Sequence, residues 1–335
     1  MTQKSFFKNK AILITGGTGS LGKELTSYFL RNKYPLKKII IFSRDELKQS
    51  EMKNFFLNKD PRGLLRFFLG DVRDKERLDF AFEKVDIVIH AAALKHVDAS
   101  EYNPIEFIKT NIMGAQNVIE CSIKNEVQNV IALSTDKASS PINLYGATKL
   151  CSDKLFINSN NIRGNKKIKF SVVRYGNVMG SRGSVLHSFL NQSKNGELLI
   201  TDNRMTRFHI LLEDAISMII WSLINSIGGE IFVPKIPSFN IKDLAQVICE
   251  DCKIKITGFR PGEKLHEEMI SIHDSKNTID LKKYYAIVPD RLIKIYQDKN
   301  YKLVNKDFCY NSGSNKSFLN VIDLKRIFKN FTKNS

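Results

Sequence analysis

Six short, nearly unbroken apolar runs constrain what this chain can become. They lie at residues 11–15, 38–42, 65–69, 86–90, 129–134 and 169–174. Longer stretches with helical periodicity separate them, including 21–31, 105–124 and 144–159. A strand that is apolar on both faces must be covered on both faces, and helical crossovers between parallel strands supply that cover. The pattern predicts an α/β fold of the Rossmann type, a doubly wound parallel sheet. Past Tyr175 the rhythm breaks into shorter segments punctuated by Gly180, Gly183, Gly196, Gly228 and Pro234. With 335 residues, one large domain or two moderate ones are expected, and the break in rhythm favours two. Residues 1–175 would bind a dinucleotide, and 176–335 would form a smaller substrate lobe over the carboxyl ends of the strands, with chain crossing between the two.

The first run leads into Thr15-Gly16-Gly17-Thr18-Gly19-Ser20-Leu21-Gly22, and a helix follows. Between strand and helix, Gly16, Gly19 and Gly22 divide three requirements among them. One allows a tight turn, one a close approach of backbone to pyrophosphate, and one close packing of helix on strand. Thr18, Ser20 and Leu21 complete a loop that presents a helix amino terminus to phosphates. The second run ends in Ser43-Arg44, then Asp45-Glu46-Leu47-Lys48. An NAD site commonly has an acidic residue at the end of this strand to hold the ribose 2′-OH. Here a hydroxyl and a guanidinium stand first, and Arg44 with Lys48 would neutralise a 2′-phosphate. NADP is therefore expected; the alternative leaves Arg44 solvated and puts Asp45 on the ribose. Asp71-Val72, after the third run, would meet the adenine edge, unless Asp71 is an exposed helix cap.

The fifth run ends in Ser134-Thr135-Asp136-Lys137, and a helix opens on Leu144-Tyr145-Gly146-Ala147-Thr148-Lys149. Tyr145 and Lys149, spaced i and i+4, share one helix face. A phenol with a pKa of about 10 is a poor base at neutral pH. The Lys149 ammonium and a positive nicotinamide are expected to lower it.

With Ala91-Ala92-Ala93 after the fourth run, these features resemble the extended short-chain dehydrogenase/reductase family. Ser43 to Glu51, Ala93-Leu-Lys-His96, Ser134 to Ala138, Asn143 to Lys149, Arg174-Tyr-Gly-Asn177 and Arg260-Pro-Gly-Glu-Lys264 resemble one branch of it. That branch is the soluble, configuration-inverting UDP-N-acetylglucosamine 4,6-dehydratases that open pseudaminic acid synthesis. The resemblance implies a lyase that uses NADP, acts on UDP-N-acetylglucosamine and forms a homo-oligomer. It implies Tyr145 as the base at the sugar 4-OH, Lys137 as the C5 base and Asp136 as the acid at the 6-OH, with Thr135 and Lys149 in the catalytic group. Lys95 and Asn177 would lie near sugar and nicotinamide, Arg182, Arg207 and Arg260 near the diphosphate, and Glu263 at the uridine ribose. A lysine base must be partly neutral, so its pKa should fall from about 10.4 toward 7–8; burial beside Lys149 and Lys95 is the expected cause, with Asp136 opposing it. Asp98-Ala-Ser100 and His209 depart from the branch and are expected to tune the substrate pocket. The alternatives are a retaining dehydratase, a 4-epimerase or a non-catalytic NADP-sensing regulator.

The net charge is +17, from 52 Lys+Arg against 35 Asp+Glu. The lysines are dispersed and no nucleic-acid motif accompanies them, so the charge fits small anionic ligands better than nucleic acid. Cys249 and Cys252 form a C-x-x-C without a second ligand pair, so no metal is expected, and two partly buried thiols fit a helix end better than a redox motif. The most apolar stretch, 208–224, is cut by Glu213 and Asp214 and does not read as a membrane span. With no apparent signal peptide, a cytoplasmic location is expected.

Overall fold

A computed structural model describes residues 3–180 and 185–334. Six parallel strands form its centre: β1 (Ala11–Thr15), β2 (Lys38–Ser43), β3 (Leu65–Leu69), β4 (Ile87–His90), β5 (Asn129–Thr135) and β6 (Lys169–Tyr175). Alternation along each strand divides the core between the faces. Ile12, Ile14, Ile39 and Ile41 enter one buried cluster, and Leu13, Ile40 and Phe42 enter the other. All five β1 residues are buried, as apolar strands covered on both faces require. The order β3-β2-β1-β4-β5-β6 reverses direction between β1 and β4, which opens a crevice at the carboxyl ends of these strands.

The later segments are β7 (Asn177–Val178), β8 (Glu197–Ile200), β9 (Thr206–Ile210), β10 (Ile231–Pro234), β11 (Ser238–Asn240), β12 (Lys253–Ile256), β13 (Glu268–Ile270), β14 (Thr278–Asp280), β15 (Tyr284–Ile287), β16 (Lys302–Leu303) and β17 (Tyr310–Asn311). The chain returns to the main sheet after the smaller lobe begins. β10 pairs parallel with β6, and β15, β14 and β16 extend the sheet antiparallel to ten strands. The smaller lobe holds the sheets β11-β9-β7 and β12-β8. Its own core joins Leu186, Phe189, Leu198, Met205, Phe239, Leu244 and Leu324. The carboxy-terminal helix Val321–Asn334 closes this lobe, with Leu324 in its core and Phe328 packed against it.

The helical stretch expected at 105–124 is broken by a π-helical segment, Ile108–Met113, between Pro104–Phe107 and Gly114–Lys124. Cys249 caps the helix Ile241–Ile248, as the helix-end reading requires, but it is joined to Cys252 by a disulfide. The expectation of two free thiols is corrected: the chain leaves the helix in a bend that brings the two Cα atoms to 5.3 Å, within bonding range. No described helix is long and apolar enough to cross a membrane.

Candidate active site

Two cavities open at the carboxyl ends of the parallel strands. The larger, about 1030 Å³, runs from the glycine loop to Tyr145 and Asn177. The second, about 360 Å³, lies between the sheet and the smaller lobe. His96, Lys137 and Asn177 line both.

Every residue expected to hold the dinucleotide lines the larger cavity: Gly16, Thr18 to Gly22, Ser43, Arg44, Lys48, Asp71, Val72, Ala91 to Ala93, Lys95, Tyr145 and Lys149. The loop suits the group. Gly16 has φ +65°, and a Cβ there would sit 2.8 Å from the Ala92 amide nitrogen. A Cβ at Gly22 would collide with the Gly17 carbonyl oxygen. A Cβ at Gly19 would meet only the Gly16 oxygen, at 3.2 Å, so its free side faces the cavity. Gly19 starts the helix Ser20–Arg31 without a side-chain cap, leaving amide donors for an anion. The next helix, Glu46–Phe56, differs: Asp45 caps it by accepting from the Lys48 amide, and its carboxylate also pairs with Lys48 Nζ at 2.6 Å. Asp45 is thereby engaged within its own turn. Arg44 approaches Asp71 at 3.5 Å, and Asp71 also accepts from the Arg73 backbone and guanidinium. Burial raises the Asp71 carboxyl pKa, but Arg73 and Arg44 prevail and hold it below the ordinary carboxylate range.

The catalytic constellation hangs on the end of β5 and the helix Leu144–Ile162, which Asn143 caps through the Gly146 amide at 2.7 Å. Thr135, Asp136, Lys137, Tyr145 and Lys149 all line the larger cavity. Burial pushes the Tyr145 phenol up to about 12, against a hydrogen bond with Thr135 and the charge of Lys137. The cation acting on Tyr145 is Lys137, and the phenol lies above its ordinary range rather than below it as expected. Lys149 Nζ donates to the Leu133 carbonyl at 2.7 Å, and its burial outweighs the attraction of Asp153 and lowers its pKa.

Lys137 also departs from expectation. Burial alone would lower its pKa, but its Nζ lies 3.2 Å from Asp136 Oδ1 and 2.8 Å from Glu267 Oε1. These two carboxylates raise it above the ordinary lysine range. Lys149 and Lys95 do not govern it. Asp136 moves in the direction an acid needs: burial raises its carboxyl, reinforced by Glu267 and opposed by Lys137 and Thr135. Glu267 does not stand out in the sequence, although it lies three residues past Lys264 in a dense run of charge.

On the substrate side, Lys95 lies in the larger cavity, Asn177 in both, and Arg207, Arg260 and Glu263 in the second. Arg207 is buried and tied to the Thr206 and Leu265 carbonyls at 2.7 and 3.2 Å. Glu263 accepts from Thr201 at 3.0 Å and faces Arg207 at 3.6 Å. Arg260 is exposed and lies 3.9 Å from Asp98, on the rim of the second cavity. Arg182 lies outside the described residues. His209 lines neither cavity; it is buried against Phe239, and burial depresses its imidazole to about 4. Its expected part in the substrate pocket is therefore not supported. His90 is buried with its Nδ1 2.8 Å from the Thr15 hydroxyl.

The sequence profile of a family described as "Polysaccharide biosynthesis protein" matches residues 12–289. The chain belongs to this family, within the extended short-chain dehydrogenases/reductases. It is 54% identical over 320 residues to the UDP-N-acetylglucosamine 4,6-dehydratase (inverting) of Campylobacter jejuni subsp. jejuni serotype O:23/36, covering 92% of this chain and 94% of the relative. It is 43% identical to a UDP-glucose 4-epimerase of Rickettsia canadensis, covering 85% and 84% of the two chains. Among solved structures it superimposes on Pen from Bacillus thuringiensis with a TM-score of 0.90 and 37% identity, covering 98% and 99% of the two chains.

Proposed function

We propose that this protein is an NADP-dependent lyase that removes water across C5 and C6 of UDP-N-acetylglucosamine, giving a 4-keto-6-deoxy sugar inverted at C5, the opening step of pseudaminic acid-type synthesis. The observation that carries this reading is the position of Lys137, beside buried Asp136, where the two cavities meet. A C4 oxidation followed by epimerisation needs no second acid–base pair at C5 and C6; an elimination does. The 54% identity to an inverting UDP-N-acetylglucosamine dehydratase supports the same substrate and outcome.

In this reading Tyr145 accepts the 4-OH proton. NADP⁺, which the glycine loop, Ser43, Arg44 and Asp71 would hold in the larger cavity, would supply the hydride chemistry needed at C4 and C6. Lys137 removes the C5 proton, made acidic by the neighbouring ketone. Asp136 gives its proton to the departing 6-OH, which leaves as water. A proton delivered to the opposite face of C5 completes the inversion. The resting Lys137 ammonium and Asp136 carboxylate differ from the reactive amine and acid by one proton passed from Nζ to Oδ1, a 3.2 Å separation, so the two titrate as one unit. Arg44 and Lys48 would meet the 2′-phosphate, and Arg207 and Arg260 the diphosphate of the substrate.

Incubation with UDP-N-acetylglucosamine should yield a product lighter by one water, with one solvent deuterium at C5 in D₂O and an inverted C5 by NMR. A product of unchanged mass with altered C4 configuration would instead establish the epimerase activity named for the Rickettsia relative. A retained C5 configuration would establish the retaining dehydratase.

A further inference from the structure

The segment from Gly262 to Glu268 is fastened to the β5 turn at several points. Asn143 donates to the Gly262 carbonyl at 2.8 Å. Lys264 Nζ donates to the Ser139 carbonyl at 2.8 Å. Ser139 and Ser140 donate to Glu268 Oε1 at 3.1 and 2.7 Å. Between these ties the Glu267 side chain, 2% exposed, reaches Lys137, whose side chain keeps 23% exposure at the cavity junction. Its second oxygen, Oε2, is buried and lacks a hydrogen-bond partner among the described residues. An ionised carboxylate buried at this depth is costly unless a cation faces it.

We propose that Glu267 is a positioning residue for Lys137: it seats Nζ where the two cavities meet and supplies the counter-charge for the proton that this amine takes from the substrate. The inference rests on the dehydratase reading for its catalytic consequence, but not for the hold on Lys137.

The surroundings support a fixed anion. Lys137 faces Asp136 on its own turn, Tyr145 on the Leu144–Ile162 helix, Arg207 on β9, and Lys264 and Glu267 from the fastened segment. Burial favours the neutral acid at Glu267, but Lys137, Arg207 and Lys264 together keep it below the usual glutamate range. Glu267 is thus a carboxylate while Asp136, buried and beside that negative charge, is biased toward its acid form. When Lys137 receives the C5 proton, the C–H bond breaks, an N–H bond forms, and the ammonium so created already faces Glu267 Oε1. No co-reactant is needed.

The test compares wild type with Glu267→Gln and with Glu267→Asp, which keeps the charge but withdraws it by one methylene. In the cofactor-loaded protein without substrate, competitive labelling by acetic anhydride across a pH series reads when the Lys137 amine becomes nucleophilic. Removing an opposite charge at this distance should move that midpoint down by about 1–3 units in the Gln variant and less in the Asp variant. In turnover with UDP-N-acetylglucosamine, the alkaline limb of the kcat profile should move down with it and kcat should fall, while KM stays within about twofold, since the loss falls on an interaction made in the transition state. An unmoved labelling midpoint in whichever variant keeps the wild-type melting temperature overturns the proposal, because a purely structural glutamate would not set the proton affinity of Lys137. If wild type neither loses water from the substrate nor exchanges C5 hydrogen while the labelling shift persists, the dehydratase reading fails and the hold of Glu267 on Lys137 stands.

Discussion

The glycine loop, the Ser43-Arg44 turn, Asp71, Ala91 to Ala93 and the Thr135 to Lys137 turn each lie at or just past the end of one of β1 to β5, so the parallel sheet lays out most of the dinucleotide cleft, with Tyr145 and Lys149 added from the helix after β5. The second cavity is assembled otherwise. His96 and Asn143 come from sheet loops, but Arg207 arrives on β9, Glu263 and Glu267 on the segment before β13, and Phe189 from the small lobe. Its charged groups neutralise one another across large sequence separations: Lys137 with Glu267 at 2.8 Å, and Arg207 with Glu263 at 3.6 Å. A cofactor site of the first kind is preorganised by backbone geometry. A cavity of the second kind depends on the docking of remote segments, so its lining can change without disturbing the sheet.

Substitutions at the boundary between the two regions should have the largest effect. Tyr145→Phe should lower turnover by about 10²–10⁴-fold, the range of a lost general base, while calorimetry shows UDP-N-acetylglucosamine binding nearly unchanged. Residual activity within tenfold of wild type would place the first base elsewhere. Lys137→Met should separate the half-reactions: substrate still generates absorbance from enzyme-bound reduced cofactor, but C5 hydrogen exchange with D₂O stops. Exchange near the wild-type rate would reduce Lys137 to an ion-pair partner of Asp136 and Glu267.

Within the cleft, smaller effects should separate backbone from charge. Arg44→Ala should weaken NADP binding by about 1.5–3 kcal/mol, the value of a charge-assisted contact, and barely change NAD binding; equal losses for the two cofactors would remove Arg44 from the 2′-phosphate. Gly22→Ala should cost about 1–3 kcal/mol of folding stability, seen as a lowered Tm without any ligand, because its Cβ meets the Gly17 backbone. Gly19→Ala should keep the Tm and lose dinucleotide affinity. The reverse pattern at these two glycines would mean that the loop is not preorganised by its backbone.

The same division explains what could be read without coordinates. The six strands, the glycine loop and the Tyr145/Lys149 helix are local patterns, and strand periodicity with a loop at each carboxyl end is enough to place them around one crevice. Lys137 is legible as a reactive candidate, but its electrostatics are not. The deciding group, Glu267, is 130 residues away in sequence, and nothing in its local pattern shows that the Gly262 to Glu268 segment folds back onto the β5 turn. The disulfide between Cys249 and Cys252 is hidden for a similar reason: whether two cysteines three apart can bond depends on the bend after the helix, which spacing alone does not reveal. His209 illustrates the converse, a residue conspicuous in sequence that the fold buries against Phe239.

The late return of the chain to the main sheet bears on how the molecule is made. When β6 emerges during synthesis, its outer edge has no neighbour until β10, some sixty residues later, arrives beside it. An unpaired edge on an apolar strand is a template for association with other chains, and closing so long a loop delays the pairing that would cover it. A fragment that stops near residue 175 would carry most of the lining of the cofactor crevice and still present this open edge. The cofactor half should therefore be prone to aggregate when expressed alone, and the nascent chain is most vulnerable while the segment between β6 and β10 is being synthesised.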